Sequence, residues 1–275
     1  MKNKTTIYWI LAVLITLAAA YYQRKTGPTY PKEFDIHINQ SSYRISLLRT
    51  HGGDENFPVE LAIPDTSIYG KIFFKRYPTN DDWQSADLKR EGDFLLGFLP
   101  HQPPAGKLAY YLQIFSPAET IDVAKESPVI IRFKGSVPGG ILVPHVFFMF
   151  FAMLLSNLAI LLALGKHKRF RLYGNITLVA LFIGGIILGP MVQYHAFGDA
   201  WTGIPFGWDL TDNKTLISFL IWLMAVIANR KTERPAFTIL AGVVLLLIYS
   251  IPHSMFGSEF DYTTGEVTQG FIHLF

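Results

Sequence analysis

Four apolar runs, residues 141–164, 176–192, 216–228 and 237–251, follow one another in the second half of the chain without a single Asp, Glu, Lys or Arg. In hydrocarbon no water answers a backbone N–H or C=O, so such runs must close their hydrogen bonds internally, and an α-helix does so within one segment. About 20 helical residues cross a hydrocarbon core about 30 Å thick, and the four runs are long enough, or nearly so. Pro144 sits near the start of the first, where a proline is tolerated. Gly184-Gly185 and Gly189-Pro190 in the second permit close helix packing or a bend. Only 16% of the 275 residues are charged, against about 25% in an ordinary soluble domain.

An earlier apolar stretch, 7–22, follows a basic start. Ala18-Ala19-Ala20 offers the cleavage site of a signal peptide, whereas Tyr21-Tyr22 ahead of Gln23-Arg24-Lys25 reads as the interfacial end of an uncleaved anchor. The anchor, residues 1–26, is the favoured reading, and either one carries the next segment across the membrane. Loop charge then orients the rest. Lys166, Lys168, Arg169 and Arg171 fill one short loop and Arg230, Lys231 and Arg234 another, while residues 193–213 and the tail after Ile251 carry no Lys or Arg. Cytoplasmic loops hold the excess of Lys and Arg. The sequence therefore predicts about five spans, N-terminus in and C-terminus out, in a bacterial inner or plasma membrane. Residues 139–275 form a four-helix transmembrane domain with an outer-face loop and a C-terminal tail.

Between the anchor and that domain, residues 27–138 change character. Short alternating or β-branched runs (34–39, 43–48, 59–63, 68–74, 94–99, 108–115 and 129–133) are separated by turn clusters such as Gly52-Gly53-Asp54 and Pro103-Pro104-Ala105-Gly106. Seven short strands at this spacing predict an extracytoplasmic all-β sandwich of the immunoglobulin or fibronectin type. Cysteine is absent, which removes disulfides, thiolate metal sites and cysteine nucleophiles.

Other classes lack their signatures. The net charge is only +3 and no basic run interleaves with aromatics, so nucleic acid is not an expected partner. No phosphate-binding loop, dinucleotide fingerprint, His-Glu-x-x-His or Gly-x-Ser-x-Gly pattern occurs. Nor is there a charged residue deep inside a span; the mid-span pair Ser156-Asn157 reads as helix–helix hydrogen bonding. The lipid bilayer is the one partner that composition demands.

Chemistry, if present, gathers at the outer face. On the predicted topology His145, His195 and His253 stand at the outer ends of three different helices, two of them in the matching contexts Val143-Pro144-His145 and Ile251-Pro252-His253. Asp199, Asp209, Asp212, Glu259 and Asp261 share that layer. Imidazoles and carboxylates at one depth suit zinc, iron or copper in nitrogen and oxygen coordination, with His145, His195, His253, Asp209 and Glu259 as the metal set. Each histidine taken alone reads rather as a side chain that snorkels or bonds a loop carbonyl. His37, His51, His101 and His273 read as ordinary surface residues.

Trp201, Gly203, Trp208 and Asp209 lead into a helix between His195 and His253. This stretch, about residues 195–230, resembles the tryptophan-rich "WWD" loop of the haem-handling membrane proteins of cytochrome c maturation. The resemblance implies haem at the outer face, with His195 and His253 as axial ligands, and with Trp201, Phe206 and Trp208 packing the macrocycle beside Asp209. The chain departs from that pattern in having fewer tryptophans, Leu210 where proline follows the Trp-Asp pair, and fewer spans. An aromatic interfacial belt with a capped helix start accounts for the same residues.

Three functions follow as expectations: a haem- or metal-binding membrane protein in redox or cofactor handling; a zinc-dependent hydrolase with Asp209 or Glu259 as general base; and a non-catalytic accessory or anchor subunit, its sandwich or its bundle binding a protein partner. In the β domain, residues 75–83 and 101–104 mix cations, carboxylates and aromatics in exposed turns and offer a ligand or partner face.

Overall fold

The computed structural model describes residues 2–253 and 257–268. The chain divides into two compact units, one of which gathers Thr29–Ser136 together with Ser258–Thr268. This β unit opens with a hairpin of β1 (Lys32–Ile38) and β2 (Ser41–Leu47). Asn39 and Gln40 turn between them at positive φ (49° and 64°), the twist that a tight hairpin needs. Then come β3 (Thr50–Gly52), β4 (Phe57–Ala62), β5 (Tyr69–Arg76), β6 (Gln84–Glu91), β7 (Phe94–Leu99), β8 (Lys107–Phe115), β9 (Thr120–Val123) and β10 (Val129–Lys134). They are hydrogen-bonded in the order β3-β10-β8-β5-β6-β7-β4, with β9 also on β8. The pairs are antiparallel except β3 with β10.

All seven strand runs read from the sequence are present. Their alternation has a single cause: one face enters a common core. Ile36, Ile45, Val59, Ile72, Leu95, Leu112 and Phe133, from seven different strands, belong to one buried cluster. β6 was not legible because only Leu88 of its eight residues is buried; pairing to β5 along its first half and to β7 along its last makes it a strand. β3 and β9 are likewise short and created by their neighbours.

The sequence assigns the tail after Ile251 to the helical domain. In the fold, β11 (Glu259–Asp261) and β12 (Glu266–Thr268) form a hairpin that belongs to the β unit. Glu259 pairs with Lys107, Arg132 bonds the Ser258 carbonyl, and the Tyr262 hydroxyl accepts from Lys107 N–H (3.0 Å). Residues separated by more than a hundred positions meet here, which no local pattern announces.

The helical unit is built from α1 (Lys2–Thr26), α2 (Gly139–Leu164), α3 (Phe170–Leu181), a π-helical segment (Phe182–Leu188), α4 (Gly189–Phe197), α5 (Leu210–Ala228) and α6 (Pro235–Ser250). Among the described residues four helices, Thr5–Thr26, Gly139–Leu164, Phe170–Phe197 and Leu210–Ala228, are long and apolar enough to cross a membrane; Pro235–Ser250 is apolar and shorter. Small residues line the inside: Ala152, Ala159, Ala180, Ala225 and Ala241 pack around a fully buried Trp222. Large ones such as Phe147, Phe150, Leu220 and Leu247 face outward. Helices in lipid gain by close backbone approach rather than by hiding apolar bulk, and this distribution follows.

The expected close packing at Gly184 and Gly185 is present. A methyl group on Gly184 would stand 2.8 Å from Phe148 Cβ, and one on Gly185 2.6 Å from Thr215 Cγ2. Pro190 has no N–H to return to the preceding turn, and the helix widens into π geometry just before it. Asn157 donates to Thr16 Oγ1 (3.0 Å), joining α2 to α1 as a mid-span hydrogen bond. At one end of the unit Arg171 donates to the Arg230 carbonyl (2.7 Å), which brings the two basic loops together.

Candidate functional site

At the other end of the helical unit, α4 ends on Gly198, whose φ of +93° reverses the chain. The following loop returns to α5 across a buried polar cluster. Asp209 caps α5, its side chain accepting from Thr211 N–H (2.7 Å) and Asp212 N–H (3.3 Å). Thr211, Asp212 and Asn213, just behind it, are cap-forming residue types as well. Asp209 is the cap because α5 begins at Leu210, and Asp212, the one acid behind it, is buried.

Asp212 then holds the loop. One carboxyl oxygen, Oδ2, accepts from Thr202 N–H (2.6 Å), Gly203 N–H (3.1 Å), the Thr202 hydroxyl (3.2 Å) and the Gln193 amide (3.0 Å). Gln193 also donates to Thr202 Oγ1 (2.6 Å), and Asn213 Oδ1 accepts from Ile204 N–H (2.8 Å). Gly203 permits this approach: a Cβ there would lie 2.7 Å from Asp212 Cβ. Lys214 is buried, and its Nζ donates to the carbonyls of Ile251 (3.1 Å) and Pro252 (3.3 Å). It thereby answers acceptors that the end of α6 leaves open.

The three histidines expected at this end differ in their contacts. His145, on α2, donates from Nδ1 to the Gly184 carbonyl in the π-helical segment (2.8 Å). His195 is exposed, its ring edge-on to Tyr194 at 5.8 Å. His253 is exposed and lies within electrostatic range of Lys214 and His145. Glu259 belongs to the β unit and is engaged by Lys107. Among the described residues no group of three or more His, Asp or Glu is placed to hold a metal ion. His273 lies outside the described residues.

The aromatic residues divide. Trp201 is half-buried and its indole N–H donates to the Ile204 carbonyl (3.1 Å), which closes the loop on itself. Phe206 and Trp208 are 78% and 74% exposed, so neither forms the wall of an internal pocket. Of the β-unit histidines, His37 is exposed, while His51 and His101 pack edge-on to Phe133 at 5.7 and 6.0 Å.

Sequence reasoning missed Gln193 and Lys214. The available signal was polarity at a span end: Lys214 is the one cation between the apolar runs that is not in a basic loop. Comparison with protein-family models, curated proteins and solved structures gives no match to this chain.

Proposed function

We propose that this chain is a non-catalytic integral membrane protein: a bundle of about five spans, N-terminus in and C-terminus out, carrying an extracytoplasmic β-sandwich as its binding module. The observation behind this reading is the use to which the bundle's polar groups are put. Asp209 caps a helix, Asp212 accepts four hydrogen bonds that shape a loop, and Lys214 answers the end of α6. A carboxyl oxygen that already accepts two or more N–H bonds offers little to a metal or a substrate proton.

The topology gains support from the tail. A folded unit lies on one side of a membrane, so the helices between Ser136 and Ser258, which share the β unit, cross an even number of times. With three long helices in that stretch, α6 supplies the fourth crossing. Its 16 residues reach about 24 Å at 1.5 Å per residue, and a modest local thinning of the bilayer absorbs the difference.

One observation favours haem or metal binding as the second reading. The His145 Nδ1–H is fixed on a backbone carbonyl, which leaves Nε2 with a free lone pair, the usual preparation of a ligand imidazole. His253 is the partner that electrostatic range suggests. Purification in mild detergent, followed by a visible spectrum and metal analysis, separates the two. The non-catalytic reading expects neither a Soret band nor stoichiometric metal. Either signal, lost in His145→Ala or His253→Ala with membrane insertion intact, replaces it with the second.

A further inference from the structure

The two exposed turns that stand out in the β-unit sequence meet at one end of the sheet. β8, β5, β6 and β7 are consecutive in the strand order, so the connection after β5 and the connection after β7 lie side by side. Between them is a cleft of about 410 Å³, within the roughly 300–1,000 Å³ of small-molecule sites. Phe74, Pro100 and Leu108 supply its apolar lining.

Part of its polar lining is already paired. Arg76 grips Asp81 with two hydrogen bonds (Nε–Oδ2 2.6 Å, Nη2–Oδ1 3.1 Å) and lies over the Tyr262 ring at 5.2 Å. Gln102 donates to the carbonyls of Pro100 (3.1 Å) and His101 (2.8 Å) and accepts from the Tyr262 hydroxyl (2.9 Å). These groups build a wall. Three others keep their capacity: among the described residues, the side chains of Asp82 and Gln84 make no hydrogen bond. The Lys75 ammonium makes none either and sits 5.2 Å from the Trp83 ring centre.

The charges of the lining cancel, Lys75 and Arg76 against Asp81 and Asp82, so the cleft has no net pull on an ion. What it offers is an acceptor-only carboxylate, a donor-only ammonium and an amide that does both. A ring bearing several hydroxyl groups answers all three, because each hydroxyl both donates and accepts, and its C–H face suits the apolar lining. We propose that this cleft binds a neutral saccharide, Asp82 accepting from its hydroxyls while Lys75 and Gln84 donate to its oxygens. The assignment rests on the reading of the β unit as the binding module.

The test uses the full chain in lipid nanodiscs, applied to an array of neutral and charged glycans, with a lysyl-glutamyl dipeptide as a zwitterionic control. The strongest neutral oligosaccharide is then titrated by calorimetry against wild type, Asp82→Ala and Gln84→Ala. Both side chains are exposed, so the thermal midpoint stays unchanged. The expected result is saturable binding weakened about tenfold or more by Asp82→Ala. No retained glycan, binding confined to charged glycans or the dipeptide, or affinity unchanged in both variants overturns the proposal. The visible spectrum and metal content of the same preparation keep the two readings apart. A Soret band with glycan binding intact defeats the non-catalytic reading and leaves the cleft standing. A colourless, metal-free protein that binds no glycan does the reverse.

Discussion

Asp212 shows how a single side chain spends its chemistry on structure. In Asp212→Ala the buried N–H groups of Thr202 and Gly203 lose their acceptor, at about 1–3 kcal/mol for each unsatisfied group. Asp212→Asn keeps one acceptor oxygen and costs less. Thermal unfolding in detergent, with limited proteolysis of the 198–209 loop, should rank wild type above Asn above Ala. Equal midpoints for Ala and wild type contradict the assigned role. A second residue-scale prediction concerns acid. The Arg76 guanidinium hydrogen-bonded to Asp81 holds that carboxyl below its ordinary value. Its contribution is therefore complete above the unfolded pKa, about 3.9, and is lost as pH falls through the lower folded value. Hydrogen-exchange protection across residues 77–83 of the full chain, measured against the intrinsic exchange rate at each pH, should fall below about pH 4. In Asp81→Asn that protection should already be low at neutral pH and respond little to acid.

Between elements, close approach outweighs hydrogen bonding. The Asn157–Thr16 bond joins α2 to α1, but such bonds in membranes average about 0.6 kcal/mol. Thr16 also keeps the Ala12 carbonyl as a partner when Asn157 is removed. Gly185 has no such latitude, with Thr215 Cγ2 2.6 Å from where a Cβ would be. Overpacking costs about 1–3 kcal/mol or more, so Gly185→Leu should lower the unfolding midpoint in graded denaturing detergent well beyond Asn157→Leu. The reverse order would mean that polar contacts, not packing, hold these helices. The glycines and the mid-span polar pair were legible in the sequence. The π-helical segment was not, because Pro190 alone announces a bend without saying which carbonyl is released or that His145 takes one.

The whole molecule depends on a return of the chain to its earlier half. The Tyr262 hydroxyl serves Lys107 N–H and Gln102 Oε1, so Tyr262→Phe should destabilise the β unit by about 1–3 kcal/mol, read as a lower thermal midpoint of the full chain. A chain ending at Gly257 should lose more, since the Lys107–Glu259 and Arg132–Ser258 contacts go as well. The proposed topology puts Ser258 outside, with the β unit, and Lys168 in the cytoplasm. The protein has no native cysteine, so single Ser258→Cys and Lys168→Cys variants report cleanly. In intact cells an impermeant maleimide should label the first and spare the second; the opposite pattern inverts the orientation.

The sequence by itself determined what depends on one segment at a time. Uncharged apolar runs dictate helices because hydrocarbon offers the backbone no other partner, and the seven alternating runs dictate strands because alternation puts one face in a core. Only the tertiary structure decided what depends on lateral position. Depth along a helix is written in the chain, but which helix faces which is set by packing, so the shared depth of His145, His195 and His253 did not say that His145 would bond the Gly184 carbonyl while His195 stands exposed. The same holds for β6, a polar stretch made a strand by two neighbours, and for Glu259, drawn into the β unit by Lys107. Asp212 and Lys214 carried charge that the sequence displayed; their tasks required the loop and the end of α6 to be brought against them.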